Sequence, residues 1–259
     1  MTQVRALPKK RLLEFQTPFL TVAPTVRFNV LGEGFITIDP ENIETIIKTR
    51  FEDYHLGDRS NQLYRLLGEG IFTQDGSAWQ LSRRILQKQF VRVREAGIAA
   101  LQAHVDTMLA NIGGEDIDNG TVVDLQPHFF EYTLNTTTHL LFGEPHSALP
   151  KLERDALRND FEYASQVSAN RMRLANLCWL YTPPKFIKAC RNVRNWAQFF
   201  ADKALHCLHT EGIEAAGQKY PFIVDLWQEL GDRSLVRDQL LHVLIAGRDT
   251  TACLLSWTL

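Results

Sequence analysis

The sequence predicts a mainly α-helical protein with a small β-sheet near its N-terminus. Three observations carry that prediction. Capping residues bracket stretches of helical apolar periodicity along most of the chain. The stretch from Ser234 to Leu259 is apolar nearly all round, the mark of a buried helix. One short segment near the N-terminus is instead β-branched and aromatic around two glycines.

Taken in order, Arg27 to Ile38 surrounds Gly32 and Gly34 and predicts a hairpin. Asp39-Pro40 then opens a helix to about Thr49, with Asp as the cap, Pro at the first helical position and Ile43, Ile46 and Ile47 as its apolar residues. Ser77-x-x-Gln80 is similar to a capping box and starts a helix through Trp79 to about Phe90. Another helix follows to Ile112, then a polar turn from Gly113 to Gly120 and a short strand at Thr121-Val122-Val123. Asp124 caps a helix that ends near Phe142, with Gly143 as its stop. Lys151 to Asn170 and Lys185 to Thr210 read as amphipathic helices separated by Thr182-Pro183-Pro184, and Pro221 to Leu230 as a shorter one before Gly231.

The last helix is predicted to start at a Ser234 cap and to run roughly 39 Å at 1.5 Å per residue. A polar insert interrupts it. Gly247 costs about 1 kcal/mol against Ala inside a helix, and Asp249 loses several kcal/mol of hydration if buried unpaired. Thr250 and Thr251 add branched, hydroxyl-bearing residues at the same place. A glycine lets something large approach the backbone, and the adjacent acid and alcohol can act as a proton-transfer pair. The competing reading is a helix that passes a solvated crevice, or a bend held by threonine hydroxyls.

Composition removes several classes. At 259 residues and 45% hydrophobic the chain can bury a sizeable core. A formal net charge of −2 without blocks of like charge argues against tight nucleic-acid binding, which needs a basic face. Cys178, Cys190, Cys207 and Cys253 show no paired spacing and read as buried, reduced thiols. Met1 to Pro24 carries Lys9, Lys10, Arg11 and Glu14 and has no apolar run for a signal core or a span. Leu235 to Leu259 is rejected as a membrane span because Arg248 and Asp249 sit at its middle. His206 and His209 share a helix face but lack further ligands at structural-site spacing, so they read as surface residues.

Two blocks resemble a known family. Ala246-Gly247-Arg248-Asp249-Thr250-Thr251 resembles the A-G-x-D-T-T signature in the long central helix of cytochrome P-450 monooxygenases. The block from Leu66 to Trp79, L-L-G-E-G-I-F-T-Q-D-G-S-A-W, continues into Ser82-Arg83-Arg84 and resembles the family's G-x-G-I-F-x-x-D-G-x-x-W-x-x-x-R segment. With Leu141-Phe142-Gly143-Glu144, the wording is closest to the fungal branch that hydroxylates n-alkanes and fatty acids. The resemblance covers essentially the whole chain and implies the N-terminal portion of that fold, ending in the long oxygen-side helix.

It also implies roles. Trp79 and Arg83, four apart on one helix face, would hold a haem propionate with an indole N–H and a guanidinium fork. The competing reading is a core Trp beside a surface Arg; Arg84 faces elsewhere as a surface charge. Ala246 and Gly247 would leave room for oxygen and substrate, Asp249 and Thr250 would supply protons during O–O cleavage, and Thr251 would bond back to its own helix. The implied cofactor is haem, the implied electron donor an NADPH-cytochrome reductase, and the implied substrate a hydrophobic small molecule. A monomer is implied for the complete protein, at the cytosolic face of the endoplasmic reticulum membrane.

No cysteine here lies in the family's F-x-x-G-x-R-x-C-x-G loop, and E-x-x-R does not occur downstream of the A-G-x-D-T-T block. Cys253 sits in the oxygen-side helix, opposite to where an axial ligand is needed. Residues 1–259 are therefore expected to form one incomplete domain without the N-terminal anchor and the haem-thiolate half. That domain is expected to be inactive, of doubtful haem retention, and to expose an apolar side of its central helix. The alternative is a haemless helical binding or interaction protein, which would have no use for Trp79, Arg83, Gly247, Asp249 and Thr250 together.

Overall fold

The computed structural model describes residues 17–29, 33–96, 99–113 and 122–259, and side chains among them except at 92–100. It divides into two compact units, Met1–His55 and Leu56–Leu259. In the first, β1 (Thr25–Asn29) pairs antiparallel with β2 (Glu33–Thr37), Arg27 opposite Phe35, as the glycine-flanked pattern predicted. Asp39 caps α1 (Pro40–Glu44), its carboxylate accepting from the Glu41 and Asn42 N–H groups. The helix then widens into a π-turn over Thr45–Thr49.

The second unit is helical. α2 (Arg59–Leu67) follows a loop, α3 (Gly76–Ala96) carries Trp79 and Arg83, and α4 (Ala99–Gly113) comes next. α5 (Leu125–Phe142) starts at an Asp124 cap and stops at Gly143, in the left-handed region, both as predicted. α6 (Lys151–Arg173) and α7 (Pro184–Glu211) are the two long amphipathic helices, joined through a tight 3-10 segment at Ala175–Leu180. α8 (Ile213–Lys219), α9 (Pro221–Leu230) and α10 (Arg233–Thr258) complete the chain.

Several expectations change. α3 begins at Gly76, so Ser77 lies inside its first turn and does not cap it, and the helix continues past Phe90. The cap of α10 is Asp232, which accepts from the N–H groups of Ser234 and Leu235 at 2.7 and 2.9 Å. Ser234 is already helical there, and a carboxylate also complements the positive helix end. Val122 and Val123 are in no strand, while Thr121 and the turn beyond Gly113 lie outside the described residues. Of the four thiols, Cys178, Cys190 and Cys207 are buried, but Cys253 is exposed.

α10 is the axis of the core. It packs on α5 and α7 and contributes Val236, Leu240, Leu241 and Leu244, each no more than 2% exposed. Phe142, Trp196 and Phe200 form an aromatic cluster between α5 and α7, with Phe142 and Trp196 edge to face at 4.6 Å. Burial is concentrated in the first half of α10 and thins after Leu244, where Arg248 and Ala252 are the buried residues. Beyond Asp249 the helix alternates buried Ala252 with exposed Thr250, Cys253, Leu254 and Trp257.

Candidate functional site

The loop of the first motif is folded around side chains of α10. The Glu69 N–H donates to Asp238 Oδ2 at 3.0 Å, and the Phe72 N–H donates to His242 Nδ1 at 3.2 Å. A β-carbon at Gly68, whose φ is +70°, would fall 1.9 Å from Asp238 Oδ2. One at Gly70 would fall 2.5 Å from the His242 ring. The two glycines are therefore clearance for an acid and an imidazole one turn apart on α10. Asp238 is also held by Arg194 at 3.1 Å and Arg237 at 2.7 Å, so its buried charge is compensated twice.

His242 is completely buried. Because Nδ1 accepts from Phe72, the proton resides on Nε2, which approaches the Gly68 carbonyl without the alignment of a hydrogen bond. Burial is the main cause that pushes its pKa down to about 4, opposed by Gly68 and assisted by Arg194 and Arg59. The imidazole is neutral at physiological pH. Neither Asp238 nor His242 was legible as part of the site, because the sequence shows the glycines but not what they make room for.

The same docking sets the start of α3. Gln239 Nε2 donates to Ser82 Oγ at 2.6 Å, and Lys88 pairs with Glu229 of α9. Trp79 precedes Ser82 by about one turn on α3, and Ala246 follows Gln239 by about two turns on α10. Gln239, Ala246, Thr250, Cys253 and Trp257 fall on one face of α10 at alternating four- and three-residue steps. Trp79 and Arg83 share a face as expected, the guanidinium carbon lying 5.3 Å from the indole ring centre. Arg83 is exposed and forms no ion pair among the described residues. Arg84 faces elsewhere and acts on Glu229.

The insert of α10 is arranged differently from its simplest reading. A β-carbon at Gly247 would meet Thr137 Oγ1 at 2.7 Å and its methyl at 2.9 Å, so the missing side chain admits α5. Of the two small residues, Ala246 is the one on the open face. The back-bonding expected of Thr251 is made by Thr250, whose hydroxyl donates to the Ala246 carbonyl at 2.6 Å. That leaves the oxygen lone pairs of Thr250 available on the exposed side. Asp249 is turned toward Arg248, Oδ1 to Nη1 at 3.2 Å, and no hydrogen bond joins it to Thr250. Burial raises the Asp249 pKa, with Arg248 opposing and Glu162 adding to the shift.

Arg248 is a further residue that the sequence did not single out. It is 3% exposed, pairs with Glu162 of α6 at 2.7 Å, and lies between Phe130 and Phe161, 5.2 Å from each ring centre. It ties α6 and α5 to the middle of α10. His206 and His209 form no metal cluster among the described residues. The residues present fit one edge and one face of a flat, anionic cofactor. Arg83 offers guanidinium donors beside the Trp79 indole, and Ala246 and Thr250 give α10 a small-side-chain surface on the helix that Gln239 joins to α3.

The cytochrome P450 family model matches residues 5–259. Cytochrome P450 52A4 of Candida maltosa is 36% identical over 246 residues, spanning 90% of this chain and 45% of that protein. Cytochrome P450 52E2 of Candida apicola is 37% identical over 244 residues, 89% of this chain and 46% of its own length. The crystal structure of a 6-coordinated cytochrome P450 from Thermus thermophilus superposes with a TM-score of 0.60 at 18% identity, over 93% of this chain and 55% of that one. The chain spans about half the length of the curated relatives it matches. From the motifs, the docking of the first onto the helix that carries the second and the match along nearly its whole length, the chain belongs to the cytochrome P450 family.

Proposed function

We propose that this chain supplies the propionate-binding helix and the oxygen-side helix of a haem-thiolate monooxygenase that hydroxylates hydrophobic aliphatic substrates, alkanes or fatty acids. Electrons would come from an NADPH-dependent reductase, and the protein would work at the endoplasmic reticulum membrane. The relatives named cytochrome P450 52 motivate the substrate class. What supports the reading is the Trp79–Arg83 pair on one face of α3 and the Ser82–Gln239 hydrogen bond that joins α3 to α10, the helix that carries Ala246 and Thr250. No helix among the described residues is long and apolar enough to cross a membrane.

Bound haem would supply the oxidising power; the side chains supply orientation and protons. Arg83 and the indole N–H of Trp79 would hold a propionate by charge-assisted and neutral hydrogen bonds. Ala246 keeps the face of α10 shallow. Thr250, its own proton committed to the Ala246 carbonyl, accepts a hydrogen bond at its outer lone pairs. Asp249 is the proton source: its raised pKa eases protonation, and a rotation away from Arg248 would bring the carboxyl from the α6 side to the Thr250 side. Gly247 contributes through α5, by allowing α10 to approach Thr137 closely. None of the four cysteines lies in an axial-ligand loop, so the chain by itself is proposed not to hydroxylate.

Haem titration of the full 259-residue chain, followed by absorbance, tests the assignment. Arg83→Gln should weaken haem binding about tenfold, the loss of one charge-assisted contact, while Arg84→Gln should leave it unchanged. Equal affinities for wild type and Arg83→Gln, or no binding by wild type, would remove this role from the α3 pair.

A further inference from the structure

Among the described residues α4 packs chiefly on α5. At one end of that contact two imidazoles meet. His104 Nε2 and His139 Nδ1 lie 2.9 Å apart, with the rings edge to face and their centres 5.1 Å from each other. His104 is half-buried and His139 exposed, so the pair stands at the margin of the helix interface, open to solvent on one side. A neutral imidazole has one N–H and one lone pair, so a single proton lies between these two nitrogens.

Three features of this place suit a metal cation. The first is spacing. An imidazole nitrogen ligates at about 2.0–2.1 Å, so two of them at neighbouring corners of an octahedron or tetrahedron are about 2.9–3.4 Å apart. The pair already stands at that bite, and a tilt of each ring turns both lone pairs toward one point beside the N···N line. The second is position: His139 is in the last turn of α5, where the helix presents its negative end. The third is room. A crevice of about 30 Å³ beside His104, lined by Thr107, Asn111, Glu131 and Tyr132, holds a water. Glu131 adds negative charge there, although it is turned to His146 and Arg158 at 3.9 Å. Burial, and then His139, lower the pKa of His104, which keeps its lone pair free in mildly acidic solution. No third His, Cys, Asp or Glu converges on the point among the described residues, so water completes the coordination. Imidazole and water together favour Cu²⁺, Ni²⁺ and Zn²⁺ over Mg²⁺ and Ca²⁺, which take oxygen ligands.

We propose that His104 and His139 form a two-imidazole site for a divalent transition-metal ion, Cu²⁺, Ni²⁺ or Zn²⁺, that clasps α4 to α5. His104 Nε2 and His139 Nδ1 are the ligands. The proton between them moves, by tautomerisation, to the other nitrogen of whichever ring carried it, so both rings bind neutral and no net proton is released. Because α5 is the chief partner of α4, the ion secures a helix that otherwise depends on one interface. The site lies on neither α3 nor α10, so it stands without the haem assignment.

Calorimetric titration of the untagged full chain with Ni²⁺, Zn²⁺ and Mg²⁺ tests it, in a Cys253→Ser background so that the exposed thiol does not compete. Ni²⁺ and Zn²⁺ should bind and Mg²⁺ should not. His104→Gln and His139→Gln should each weaken Ni²⁺ at least about tenfold, since losing even an outer-shell partner of a metal costs that much. His206→Gln, at the other histidine pair, should leave the affinity unchanged. Hydrogen exchange of the α4 amides should slow when Ni²⁺ is added to the parent and stay constant in His139→Gln. Substoichiometric Ni²⁺ should broaden the ring signals of His104 and His139 before those of other histidines, a readout that needs no histidine variant to fold. Absence of binding at millimolar Ni²⁺, parental affinity in either His104→Gln or His139→Gln, loss in His206→Gln alone, broadening centred elsewhere, or binding without slower exchange in α4 would each overturn the proposal.

Discussion

His242 joins the first motif to the helix that carries the second and makes that contact sensitive to acid. Its pKa, near 6.5 in an unfolded chain, is about 4 in the fold. Between those values the unfolded chain takes up the proton and the folded one does not. The stabilisation is thus whole above about pH 6.5 and lost as pH falls toward 4, amounting at most to about 3 kcal/mol. Urea midpoints measured at pH 7 and pH 5 should fall more for wild type than for His242→Gln, whose amide oxygen can still accept from Phe72. A parallel decline in both proteins would remove His242 as the cause. Arg248 shows the converse arrangement. Its guanidinium is 3% exposed, with Glu162 and two aromatic faces in the place of water.

Between helices the controlling contact is Gly247 against Thr137. Gly247→Ala gains about 1 kcal/mol of helix propensity but drives a methyl into Thr137, an overpacking cost of about 1–3 kcal/mol. In the wild-type background the substitution should therefore be neutral to destabilising. In a Thr137→Ala background it should stabilise by about 1 kcal/mol, because only the propensity gain remains. Denaturant midpoints of the four proteins of this cycle measure the coupling; additive effects would mean that α5 and α10 do not meet there. This contact also shows where sequence reading stopped. Asp124, Gly143, Pro221 and Gly231 mark their helices through local capping chemistry, and all four boundaries were legible. α2 was not, because a helix of this length draws its stability from Leu63, Leu66 and Leu67 buried against distant elements. α8 carries Gly217 and is only seven residues long, so its propensity is weak. The polar insert of α10 was visible as an anomaly, yet nothing local says that Gly247 faces α5, that Thr250 makes the backbone bond, or that Arg248 is buried.

Across the Leu56–Leu259 unit, burial is uneven. Leu254 is 67% and Trp257 89% exposed, on the helix whose first half is the centre of the core. Contiguous apolar surface of this kind promotes association. The chain should therefore self-associate at micromolar concentration and bind a hydrophobic dye, and Leu254→Ser with Trp257→Ser should reduce both. Sedimentation velocity checks it; a wild-type monomer with a sharp cooperative melt and no dye binding would contradict it. The clasp of Gly68 and Gly70 on Asp238 and His242 has a different consequence, for inheritance. The first signature and the turn of α10 that precedes the second form a matched pair of lock and ward. A side chain gained at 70 is tolerable only with a smaller group at 242, so variation at these positions should travel in pairs, and a chimera that exchanges one segment without the other should fold poorly even when both parents are sound.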